Sequence, residues 1–366
     1  MGKKYNRIII VGNGYDLALK LPTCYSDFIT WHLKEAAQIS LIRPYSDDPL
    51  FKINYTPFGN NEQIVSILNS EKDFSKFLEI FNHYFKLEYK SEFFELLMQQ
   101  VIDKKWVDIE NLYFNLIIQK IKVIQKAEPL KRNYEGIEQL NSQLDFIKTR
   151  LHDYLNFVQS NFGISPIDSL MHSIHSEFNE KLLREQAYIV HKVEDSELDH
   201  PSKVIFLNFN YTNYLSQIVY SRWRDNHIIQ IHGQLNHSNN HIIFGYGDDT
   251  HPMYEILENE LSDEPLKQIK SFYYPKTNNY HTILDSLSEL PFEVFIVGHS
   301  CGLSDRTLLK TIFEHDNCVG IKIYHRGSEH DHFLKNIAIS RHFKDKAKLR
   351  DKILPYDQHA VIPQSK

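Results

Sequence analysis

The sequence is poor in glycine, with 13 among 366 residues, about half the usual share of roughly 7%. Only Gly59, Gly136 and Gly163 fall between residues 15 and 232, whereas Gly12, Gly14, Gly233, Gly245, Gly247, Gly298, Gly302, Gly320 and Gly327 lie in or beside apolar runs. Glycine is costly inside a helix and useful where backbone turns sharply or approaches a ligand. The distribution therefore suggests a helical middle framed by an α/β fold that carries the site. Cysteine is scarce as well. Cys24, Cys301 and Cys318 are odd in number and far apart, which suits reduced packing thiols in a cytosolic protein and provides no C-x-x-C pair for structural zinc.

Two further absences narrow the function. No apolar run approaches the roughly 18–20 residues of a membrane span, and MGKKYNRIIIVGNGYD enters a strand-like segment without a signal-peptide cleavage region. A cytoplasmic location and no membrane partner are expected. The net charge of −6, with Lys and Arg dispersed, argues against nucleic acid as a partner. What the chain does have, 42% hydrophobic and 13% aromatic residues, suffices to bury a core in one large domain or two smaller ones.

Along the chain, RIIIVG at residues 7–12 is a β-branched run closed by glycine, the pattern of a strand buried on both faces of a parallel sheet. Pro22-Thr23 offers a break and N-cap before a helix carrying Tyr25, Phe28, Ile29 and Leu33. Residues 40–65, with Pro44, Pro49, Pro57 and Gly59, read as an irregular connection. From about residue 73 to 190 the pattern is helical. Ile137, Leu140, Leu144, Ile147, Leu151, Leu155 and Val158 form one apolar stripe, and Ile109, Leu112, Leu116 and Ile117 another, separated by Pro129 as in an antiparallel helix pair. After Pro201 strand signals return in KVIFLNFN, HIIQIHG, HIIFGYG, EVFIVGHSCG and CVGIKIYHRG. Most end in glycine or asparagine, where open α/β sheets bind ligands. The tail beyond about residue 344 should form a short helix and a loosely held end.

Three strand-end motifs carry the chemistry. Gly12-Asn13-Gly14-Tyr15-Asp16 lets backbone turn tightly toward a phosphate at a helix start. Leu17 stands where a dinucleotide fingerprint has its third glycine, and a tight turn without a ligand is the alternative. Asn208-Phe209-Asn210-Tyr211-Thr212 presents neighbouring amides that suit sugar hydroxyls or a positioned water; an Asx turn or helix cap is the alternative. In Ile231-His232-Gly233 the histidine is a candidate base or a satisfied structural group.

Other motifs compete with these. Gly298-His299-Ser300-Cys301-Gly302 matches the G-x-S-x-G nucleophile elbow of serine hydrolases, with Asp305 or Asp331 and His332 or His359 as triad nominees. Asp305 is equally an N-cap for the next helix. His325, His330 and His332 with Glu329 and Asp331 lack metal-ligand spacing and read as a solvated polar loop, so no metal is expected. Asp108 and Glu110 in Trp106-Val-Asp-Ile-Glu do not share a helix face, which disfavours a catalytic pair; a helix cap or an interhelical ion pair is the alternative.

As an ordered set, IIIVGNGYDLALKLPTCYSDF, WVDIENLY, LNFNYT, QIHG, IIFGYGD and VGHSCGLSD resemble the AbiH abortive-infection proteins of bacterial phage defence. More distantly, the order of motifs is similar to the sirtuin-like NAD-consuming fold. That resemblance implies Gly12, Asn13, Gly14 and Asp16 on the phosphate side, Asn208, Asn210 and Thr212 at the ribose, and His232 as base. It also implies Gly298, Ser300 and Asp305 toward the adenosine or phosphate side. Thr212 replaces the aspartate of that fold, and three scattered cysteines exclude its four-cysteine zinc module, which puts protein deacylation in doubt.

The expected architecture is a Rossmann-like, sirtuin-like, mostly parallel sheet flanked by helices. Residues 1–60 and 200–345 should form it, with 61–199 a helical insertion and 346–366 a tail. The expected function is an anti-phage effector, a toxin that binds NAD as substrate and hydrolyses its nicotinamide glycosidic bond. Asn210 and His232 are the catalytic candidates. A phage-derived trigger or partner defence protein is expected, with homo-oligomers forming through the insertion. The alternatives are a non-catalytic nucleotide sensor and a serine hydrolase using Ser300.

Overall fold

The computed structural model describes residues 4–43, 45–55, 59–104, 108–162, 177–183, 185, 201–220 and 227–364. Its strands are β1 (Asn6–Val11), β2 (Tyr45–Asp47), β3 (Phe51–Tyr55), β4 (Phe85–Tyr89), β5 (Lys203–Asn208), β6 (His227–Gln230), β7 (Phe292–Val297) and β8 (Cys318–Tyr324). The chain falls into two compact units, one of Met1–Pro22, Val158–Pro252 and Ile269–Lys366, the other of Thr23–Phe157 and Met253–Gln268.

The first unit is built on a five-stranded sheet ordered β6-β5-β1-β7-β8, with every pairing parallel. Counting only its own strands, the order is 3-2-1-4-5, that of a doubly wound Rossmann-like fold. All six residues of β1 are buried, as expected of a central strand covered on both faces. Ile8 and Ile10 face one core with Ile283, Leu287, Leu308, Ile312 and Phe313 of the helices Asn279–Glu289 and Arg306–Glu314. Ile9 and Val11 face the other, with Tyr15, Leu182, Leu215 and Ile218. This alternation is the period-two geometry of a strand.

The second unit holds the helical stretches. Helix Glu135–Asn161 buries the expected stripe from Ile137 to Leu155, and helix Ile109–Ile124 buries Ile109, Leu112, Leu116 and Ile117. Residues 40–65 are not irregular. β2 and β3 join β4 in an antiparallel sheet. The prolines and Gly59 mask the alternating Phe51, Ile53 and Tyr55, and the partner strand lies some thirty residues on, so local reading missed a non-local pairing. The helix expected after Pro22-Thr23 begins at Tyr25, with Cys24 rather than Thr23 at its N-cap, where the Cys24 thiol donates to Asp27 at 2.7 Å.

Two more expectations change in the first unit. HIIFGYG forms no strand. Its Ile243 N–H turns back to the His232 carbonyl, and only Tyr246 makes an isolated parallel bridge, to Ile269. The tail has its short helix, Lys346–Lys352, but its end is held firmly. Leu354 N–H donates to Ile321 and Ile362 N–H to His325, and Ala360 and Ile362 are buried. The physical reason is that β8 is an edge strand whose free backbone groups the tail satisfies. Among the described residues no helix is long and apolar enough to cross a membrane.

Candidate functional site

Neighbouring parallel strands carry the motifs to one edge of the sheet. β1 leads into Gly12–Asp16, β5 into Asn210–Thr212, β6 into His232, and β7 into Gly298–Asp305. β1 lies between β5 and β7, so the strand order reverses there, which is where ligands enter such sheets.

Here the two glycine loops meet. Gly12 N–H donates to Val297 at 3.1 Å and Gly14 N–H to Gly298 at 2.8 Å. A Cβ on Gly14 would lie 2.7 Å from the Gly298 backbone, and Gly298, at φ +68°, leaves a Cβ only 2.4 Å from Tyr15 N. Contact between the two loops thus requires both glycines, and the Gly14 amide is spent inside the protein. Asn13 and Ser300 are exposed beside this seam.

Two buried networks flank the seam. In the first, Asp16 is 1% exposed and takes the Asn210 amide at 3.1 Å on one oxygen and the Thr212 hydroxyl at 2.6 Å on the other. The same Asn210 amide reaches Gly12 O at 3.3 Å, and Asn210 N–H donates to Asn208 Oδ1 at 3.1 Å. Asn208, fully buried, passes its own amide to Gln230 Oε1 at 2.9 Å, and Gln230 Nε2 is buried without a partner among the described residues. Burial raises the Asp16 carboxyl to about 7, against the stabilising bonds from Thr212 and Asn210.

The second network centres on Asp305, which does not cap its helix with its side chain. Lys270 Nζ lies 2.7 Å from Asp305 Oδ1, His232 Nε2 3.2 Å from the same oxygen, and His299 Nε2 3.6 Å from Oδ2. His232 Nε2 has no hydrogen-bond partner among the described residues. His299 Nδ1 accepts from Cys301 N–H at 3.0 Å, which leaves the proton of the neutral ring on Nε2, facing Asp305. Burial opposes the charge of Asp305, yet Lys270 and then His232 hold its carboxyl well below the usual range. Burial, helped by Lys270, brings His232 down to about 4. His299 is also lowered, first by burial. Phe209 lies between the two imidazoles, 4.8 Å from His232 and 4.2 Å from His299. The networks meet at Gly12, whose carbonyl holds Asn210 and where a Cβ would lie 2.6 Å from His299 Cα.

Lys270, His299 and Gln230 are the participants that sequence reasoning missed. Lys270 sits in a polar stretch with no motif, and only the Tyr246–Ile269 bridge brings it here. His299 was visible only as the unnamed position of the elbow motif. Ser300 is exposed and makes no hydrogen bond to a histidine among the described residues, while Asp305 is committed to Lys270. The positive φ expected of an elbow nucleophile falls on Cys301, at 55°.

The histidine-rich segment is not a solvated loop. His325 and His332 are buried, with ring centroids 6.4 Å apart and both beside Tyr356, and residues Glu329–Ser340 are helical. Among the described residues no three histidine, cysteine, aspartate or glutamate side chains are grouped to hold a metal. In the second unit, Asp108 caps its helix by accepting Asn111 N–H at 2.9 Å, and Glu110 is buried in the first turn. Trp106 lies outside the described residues.

The fold and the strand-end site define a Rossmann-like α/β protein with a polar cluster at its topological switch point. The family model described as "Bacteriophage abortive infection AbiH" matches residues 8–325, most of the chain, and the protein belongs to that family. No curated protein matches it.

Proposed function

We propose that the protein acts in abortive infection by binding NAD, or a nucleotide like it, at the β1–β7 switch point and hydrolysing the nicotinamide glycosidic bond. The observation that carries this reading is the convergence of Asn210 and His232, from separate strand ends, on the two buried networks that meet at Gly12. Water adds to the anomeric carbon as the C–N bond breaks, and the bond's electron pair leaves with nicotinamide, which departs neutral. Such a departure needs orientation and a proton acceptor more than a strong acid. Asn210 orients, and His232, kept neutral by burial and Lys270, accepts the proton of the attacking water. The acyl-transfer alternative has no support at Ser300, which is exposed and has no histidine hydrogen-bonded to it among the described residues.

One observation favours a second reading, binding without turnover. Burial brings His232 down to about 4, which makes it a weak proton acceptor near neutral pH. Cellular NAD measured through phage infection separates the two. Hydrolysis predicts a fall of tenfold or more with the wild type and none with Asn210→Ala or His232→Ala. Protection by all three proteins with NAD intact would sink hydrolysis and leave the sensor.

A further inference from the structure

The resemblance that placed Asp16 beside a phosphate does not suit its surroundings. With 1% of its surface exposed and both oxygens occupied, Asp16 has nothing to offer a ligand. Nor is a buried carboxylate an economical way to fill space, since an apolar side chain of similar size costs less. Its neighbour supplies a use. The Asn210 side chain has one donor end and one acceptor end, and they are interchangeable in shape. Asp16 Oδ1 and Gly12 O are both acceptors, and both lie within hydrogen-bond distance of the Asn210 nitrogen, at 3.1 and 3.3 Å. The flipped amide would put an oxygen against two oxygens. The backbone is pinned too, through Asn210 N–H to Asn208. With both amide hydrogens committed, Asn210 Oδ1 accepts no hydrogen bond among the described residues.

We infer that Asp16 is a positioning residue which locks the Asn210 amide so that its oxygen, and never its nitrogen, faces the ligand. Thr212 holds Asp16 in place from the opposite side by donating to Oδ2. The lock sets a chemical requirement. Whatever meets Asn210 must donate a hydrogen, as a sugar hydroxyl or a water does, and a carbonyl or phosphate oxygen is rejected at that point. The inference rests on the reading of Asn210 as a site residue, but the orientation itself can be observed without any ligand.

The test uses the full chain with 15N-labelled asparagine, in which the Asn210 side-chain NH2 signal is identified by its loss in Asn210→Ala. Asp16→Asn retains a carbonyl acceptor toward Asn210, and its own NH2 can donate to the Thr212 hydroxyl. It should keep the Asn210 signal near its wild-type position, slow hydrogen exchange included. Asp16→Ala should shift the signal and speed its exchange at least tenfold. Asp16→Ser, too short to reach Asn210, serves in its place if the alanine variant does not fold. NAD loss, assayed alongside, should survive in Asp16→Asn and fall at least tenfold in the short variants. A folded Asp16→Ala or Asp16→Ser protein with an unchanged Asn210 signal overturns the lock. If the signal responds as expected while even the wild type leaves NAD intact, the lock stands and hydrolysis fails.

Discussion

Single residues in the buried networks carry opposite pH signatures. Asp16 titrates near 7 when folded, against roughly 3.9 in an unfolded chain. Between those values the native state binds more protons, so this group's contribution to stability is full at acid pH and is lost as pH rises toward 7. His232 works the other way. Its folded value near 4 lies below its unfolded one of about 6.5, so its contribution is present above 6.5 and lost as pH falls toward 4. Between about pH 4 and 6.5 the two terms run in opposite directions and offset each other in the wild type. Asp16→Asn removes the first and exposes the second. Urea unfolding of that variant should show a gain of roughly 2–4 kcal/mol over wild type at pH 8, shrinking to nothing near pH 4. A constant difference across that range would mean that Asp16 is ionised normally in the fold.

At the scale of elements, the glycine loops after β1 and β7 form the seam of the sheet. Gly298→Ala would combine a left-handed backbone angle with a Cβ 2.4 Å from Tyr15 N. The expected loss is on the order of 3 kcal/mol, read as a lower midpoint in denaturant. Gly327→Ala, at φ +117° but with nothing nearby, has only backbone strain to bear and should lose less. These elements also show what the sequence could disclose. β1, β5, β7 and β8 were legible because continuous β-branched runs have few other fates in a parallel sheet. Asn210 and His232 were legible as polar residues just beyond the ends of β5 and β6. The sheet of β2, β3 and β4 was hidden, since its register depends on residues far along the chain. Lys270 was hidden for a related reason, because an isolated bridge between distant segments brings it to Asp305. The glycine motif was seen with two uses left open, a phosphate site and a tight turn, and the structure adds a close contact with the loop after β7. Sequence shows that backbone approaches closely, not whether it approaches a ligand or another loop.

Across the whole molecule, the central strand has partners from remote parts of the chain. Asn6 pairs with Lys203 on one side and Phe292 on the other. Contacts of such long range slow folding, because the loop must be closed before the pairing stabilises it. The tail extends this dependence, since residues 353–362 cover the edge of β8. Removing residues 353–366 should leave the strand order intact yet expose that edge. The expected outcome is self-association, visible as concentration-dependent mass in light scattering. A monomeric truncated chain would show that β8 needs no cover. The same arrangement has a consequence during translation. β1 leaves the ribosome long before its partners β5 and β7, and β8 leaves before residues 353–362, so its edge is open to any passing strand until they follow. The chain is thus most open to mispairing in the interval between the emergence of β8 and that of the segment that covers it.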